Sequence, residues 1–148
     1  MADYAKLQQV MKAAALGDSD RANELHDQFT AEDQGAYNVY VIAVFAGAMG
    51  VRFATDQSLE AVRRFAAEME YDYRSATPPV KQLTVELLIR AMMGEEHLFD
   101  EISAEDQLRL QLLAIRKVVD QSEKMRTHID EYLSDAAKLA TQWESETD

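Results

Sequence analysis

Leu25-His26-Asp27-Gln28-Phe29-Thr30-Ala31-Glu32-Asp33-Gln34 is echoed 73 residues later by Leu98-Phe99-Asp100-Glu101-Ile102-Ser103-Ala104-Glu105-Asp106-Gln107. The core Ala-Glu-Asp-Gln is identical in the two segments, and a hydroxyl residue precedes it in both. That pattern is a helix start. Thr30 or Ser103 can accept a hydrogen bond from a free N–H of the first turn, and the acid three residues on can reach back. The early acids also suit the positive end of the helix dipole. Two helices could acquire such a start independently, so the flanking residues decide whether the echo is a repeat.

The flanks keep the correspondence in order. Val10, Met11, Ala14 and Leu16-Gly17-Asp18 align with Leu87, Leu88, Ala91 and Met93-Gly94-Glu95 once four residues are skipped. Leu59, Val62, Phe65, Ala66 and Met69 align with Leu133, Ala136, Leu139, Ala140 and Trp143 at an offset of 74. We read an internal duplication of a helical unit of about 73 residues. Each unit holds a helix ending at Gly17 or Gly94, a short segment, a capped helix and a final helix. Thr77-Pro78-Pro79 reads as a cap and first turn. In the second unit the break before the final helix falls near Thr127-His128. No breaker stands there, so one long bent helix over Ser103–Glu144 is the alternative. No useful stretch alternates with period two, so no strand is assigned. The expected fold is all-α: a compact bundle of about six helices in one domain, 1–148. Its repeat units are 5–77 and 78–146, packed with pseudo-two-fold symmetry, and the acidic tail 144–148 frays.

The capped helix over 31–53 differs from its counterpart. It reads Tyr37-Asn38-Val39-Tyr40-Val41-Ile42-Ala43-Val44-Phe45 and is apolar on nearly all sides. Such a helix is buried all round, either at the centre of the bundle or in an oligomer interface. Ala43, Ala46, Gly47 and Gly50 would let another helix come close. The counterpart near Ser103–Arg126 is amphipathic, with Arg109, Gln111, Arg116, Lys117, Glu123 and Lys124 free to face water. The apolar run from Ala36 to Val51 falls short of the ~18–20 residues of a bilayer span.

Composition narrows the function classes. The chain has 148 residues, no cysteine and a formal net charge of -12. Without cysteine it has no disulfide scaffold, thiolate nucleophile or Cys-ligated metal. Nucleic-acid phosphates want a basic stripe, which an acidic chain does not offer. The acidity is shared by both units, net -5 over 1–77 and -7 over 78–148, so it is no property of the tail. No basic segment followed by an apolar run opens the chain, so a cytoplasmic location is expected.

Searching for chemistry yields little. His26, His97 and His128 lack Glu-x-x-His or His-Glu-x-x-His spacing. The acid pairs Glu32-Asp33, Asp100-Glu101, Glu95-Glu96 and Asp18-x-Asp20 sit mostly at helix starts, with no calcium loop around them. Gly-x-Ser-x-Gly and Ser-x-x-Lys are absent. No catalytic residue, metal ligand or cofactor is assigned. The residues singled out for a ligand pocket or an interface are Tyr37, Asn38, Tyr40, Arg52, Tyr71, Tyr73 and Arg90. Asn38, Arg52 and Arg90 interrupt apolar stretches, and a buried arginine could grip a carboxylate or phosphate. Tyr71 and Tyr73 are typical interface residues. The expected function is a non-catalytic interaction or regulatory module that binds another protein and self-associates, with neither nucleic acid nor membrane as partner. The alternative is a small-molecule sensor with a pocket between the units near Tyr37, Asn38, Tyr40 and Arg52. An enzyme using buried carboxylates ranks last.

Overall fold

The structure is a computed structural model and describes residues 4–146. It is all-helical, with no strand among the described residues. Among the described residues eight α-helices and one 3-10 helix follow one another: α1 Tyr4–Ala15, α2 Ser19–His26, α3 Ala31–Arg52, α4 Leu59–Asp72, α5 Gln82–Met92, the 3-10 segment Glu96–Glu101, α6 Ala104–Gln121, α7 Glu123–Thr127 and α8 Ile129–Glu146. Six of the α-helices have eleven residues or more, and the shorter pieces join them. The last helix runs through Glu144–Glu146, part of the stretch expected to fray; residues 147–148, like 1–3, lie outside the described residues.

Both echoed segments cap helices. Thr30 Oγ1 accepts from the Asp33 N–H, and the Asp33 carboxylate accepts in return from the Thr30 N–H. Ser103 Oγ accepts from the Asp106 N–H at the start of α6. Gly17 and Gly94 follow α1 and α5 with φ of 82° and 129°, the left-handed region where a side chain is strained. The Thr77-Pro78-Pro79 cap is displaced. α5 begins only at Gln82, and its N-terminus is capped from outside: Glu70 on α4 accepts from the Gln82 N–H at 2.7 Å. Helix boundaries in the second unit are also sharper than a bent helix. Ser122 and His128 both leave helical geometry, which isolates the short α7.

α3 is the axis of the fold. It packs against α6, α8 and α1, while α4 and α5 pair as a hairpin and α1 lies on α2, α6 and α8. Tyr40, Val41, Phe45 and Ala48 on α3 are completely buried, in one core with Phe65, Met69, Ile115 and Leu133. By length and composition α3 could cross a bilayer, but half of its most apolar window is buried in the bundle. The counterpart helix α6 departs from its expected polar face. Gln111 and Lys117 are buried, at 2% and 5% exposure, because α6 is packed on α3 on one side and approached by α4 on another.

One ion pair fastens α1 to the start of α3. Lys6 Nζ stands 2.7 Å from the Asp33 carboxylate that closes the capping box. The Lys6 hydrogen bond, reinforced by the Thr30 N–H, holds the Asp33 carboxyl below its ordinary value of 3.8. A carboxyl depressed in the folded state stabilises it fully above the unfolded value and loses that contribution as pH falls through the folded one. Asp33→Asn is therefore expected to flatten the acid limb of a stability-against-pH curve below about pH 4. Urea titrations across that range test this; parallel curves for the two proteins would contradict it.

Candidate functional site

An apolar concavity lies where α1, α2 and α3 meet α6. It is a groove of about 300 Å³, at the small end of the ~300–1,000 Å³ range of ligand pockets. Its walls are Val10, Ala14, Ala22, Leu108, Leu112 and Leu113. Helical spacing explains them: Val10 and Ala14 are one turn apart on α1, as are Leu108 and Leu112 on α6. Ser19, Asn23 and His26 add a polar edge from α2, and Tyr37 and Arg116 complete the lining. No acidic side chain lines the groove.

Two lining groups stand out. Tyr37 is only 3% exposed, yet its hydroxyl makes no hydrogen bond with the described residues. Its ring is braced edge-on by Phe29, centroids 5.3 Å apart, and by His26 at 6.2 Å. His26 is itself oriented by Gln34, at 2.6 Å from its Nε2. Burial pushes the Tyr37 hydroxyl up to about 12, so at neutral pH it is a neutral donor. Arg116 is the one arginine among the described residues with neither a hydrogen bond nor an ion pair. Its guanidinium lies over Gly17, where a Cβ would stand 3.3 Å from Nη2.

Arg116 also borders a second crevice, of about 510 Å³, beside Gly17 and Tyr73. There the other two cations already have partners. Lys117 pairs with Asp72 and with Glu68 at 3.4 Å, and Arg126 donates to the Val119 and Asp120 carbonyls. Glu68 is a junction: it also takes Arg52 of α3 at 2.9 Å and Gln121 of α6 at 3.2 Å. No group of three or more His, Asp or Glu able to hold a metal occurs among the described residues.

The residues singled out from sequence are dispersed. Tyr37 lines the groove and Tyr73 the crevice, its hydroxyl donating to the Leu113 carbonyl at 3.2 Å. Tyr40 is fully buried, donating to the Leu133 carbonyl at 3.1 Å, which ties α3 to α8. Asn38 is exposed and accepts from Gln34. Arg52 is engaged by Glu68 and stacks over Phe65, 5.1 Å from the ring centroid. Arg90 is clamped bidentately by Glu95 at 2.7 and 2.8 Å. Tyr71 is 66% exposed beneath the Arg74 guanidinium. Arg116 is exposed, as expected of it from sequence; that it also borders the groove was not foreseen.

Comparison with known protein families, with characterised proteins and with solved structures finds no match.

Proposed function

We propose that this chain is a non-catalytic binding module that pairs with a second copy of itself through the outward face of α3. The observation that carries this is the makeup of that face. From Gln34 to Val51 the helix has no charged residue. Gly35, Ile42, Ala46 and Gly50 lie off the buried side of the helix, beside Val39, which is half-buried against the core. A Cβ on Gly35, Gly47 or Gly50 would meet nothing within 4 Å. The bundle's own packing therefore does not require these glycines, and each weakens the helix by roughly 1 kcal/mol relative to alanine. Close approach of a partner helix gives them a use. Light scattering after gel filtration is expected to show a dimer that Ile42→Lys converts to a folded monomer. A wild-type monomer at high concentration would refute the pairing.

The reading includes the internal repeat, units 5–77 and 78–146 about a pseudo-two-fold axis. Reciprocal packing supports it: α1 lies on α2 and α8, as α5 lies on the 3-10 segment and α4. A small-molecule sensor is the second reading, favoured by the groove between α1–α3 and α6. An enzyme with buried carboxylates has least support, since Asp33, the only buried carboxylate among the described residues, is taken by Lys6 and its cap. On this reading the molecule works in the cytoplasm on another protein, a second copy or a small ligand, without nucleic acid or membrane.

A further inference from the structure

The groove between α2 and α6 has a chemistry of its own, independent of the outward face of α3. Its walls are apolar, its lining holds no acid, and it contains an unpaired arginine. In a protein of net charge -12, a concavity without a single carboxylate is an exception. Elsewhere the arginines are committed: Arg52 to Glu68, Arg63 to Glu86, Arg90 to Glu95. A guanidinium left free beside an apolar slot suits an anion attached to an apolar body. The Tyr37 hydroxyl strengthens the case. It belongs to a residue that is 3% exposed, lines the groove, and has no hydrogen-bond partner among the described residues. An acceptor on a ligand in the groove would give this hydroxyl a partner.

From these observations we infer that the groove binds a small amphiphilic carboxylate, its apolar chain between α1 and α6 and its head near Arg116 and Tyr37. The apolar walls contribute affinity without selectivity, and the charge selects the head group. Under the proposed repeat this site, which both units line, has no counterpart on the other side of the pseudo-two-fold axis. An offset of 73 pairs His26 with Phe99 and Tyr37 with Leu110, so the second unit lacks both polar groups.

The test uses three probes with the same ten-carbon chain: decanoate, decanol and decylamine. Calorimetry and amide NMR on the full chain are expected to rank decanoate first and decylamine last, with shifts centred on Leu108 and Leu112. Arg116→Met is expected to weaken decanoate by about ten- to a hundredfold, the worth of a charge-assisted hydrogen bond, and to leave decanol unchanged. Tyr37→Phe is expected to weaken decanoate by roughly fivefold. Leu112→Trp, which fills the slot, is expected to abolish binding of all three. The helical circular dichroism of each variant shows that it is folded. Equal binding of the three probes, no binding of any, or an Arg116→Met variant that keeps the preference would each overturn the assignment. Repeating the titration on the Ile42→Lys variant separates the two proposals. A wild-type chain that is monomeric and still takes up decanoate sinks the pairing and keeps the groove.

Discussion

Replacing Phe45 with alanine is expected to lower the unfolding free energy by about 3–5 kcal/mol. Phe45 is completely buried at the middle of α3, the helix that α6, α8 and α1 share. The loss has two parts: the ring's transfer from water is forfeited, and a void remains that surrounding helices fill only in part. Small domains are stable by only ~5–15 kcal/mol, so one such change removes a large share of the total. The control is Asn38→Ala on the same helix, which is exposed and should shift stability by no more than about 0.5 kcal/mol. Urea denaturation followed by helical dichroism measures both. Similar midpoints for the two variants would mean that α3 is not the centre of the core.

The second large effect concerns a buried charge. Lys117 is 5% exposed and is balanced by Asp72 and Glu68, whose side chains are 46% and 34% exposed. This asymmetry sets the direction of the mutational effects. The double change Glu68→Gln with Asp72→Asn leaves an ammonium in the interior without a counter-charge. It is expected to cost about 3 kcal/mol at neutral pH, the lower end for a broken buried pair, because solvent reaches the carboxylate side. Lys117→Met instead leaves two carboxylates that water can hydrate and puts a thioether among the apolar side chains. That variant is expected to stay within about 1 kcal/mol of wild type. Combining all three substitutions should recover most of the loss. A Lys117→Met variant as unstable as the double change would show that the ammonium itself, not its compensation, holds α4 to α6.

Local physics was readable in advance, and non-local physics was not. The caps at Thr30 and Ser103, the turns at Gly17 and Gly94 and the apolar nature of α3 follow from residues within a few positions of one another. The start of α5 does not. Its capping acid, Glu70, comes from twelve residues upstream on another helix, so proline chemistry alone misplaced it. Lys117 was misread for a related reason. Periodicity shows which face of α6 is apolar, but not that α4 will bring two acids to bury a lysine on another face. The groove was least legible of all. Its polar groups come from α2, α3 and α6, and Tyr37 and Arg116 are brought together only by helix packing. Tyr37 could be suspected as an aromatic with a polar tip on an otherwise apolar helix. Nothing local separates Arg116 from any solvated arginine.

The contact of α1 with α8 bears on how the chain is made. Lys12 pairs with Asp130 at 3.0 Å, and α1 rests on α8 and α6, elements from the far half of the sequence. As the chain leaves the ribosome at ~5–20 residues per second, α1 is made before α6 and α8 and must wait several seconds for them. Until then Leu7, Val10 and Met11 lack the surfaces that bury them, and the loop to be closed spans most of the chain. Completion of the fold thus waits until α8 has been made. A nascent chain halted before α8 should present α1 as an exposed apolar helix, the kind of segment a chaperone holds.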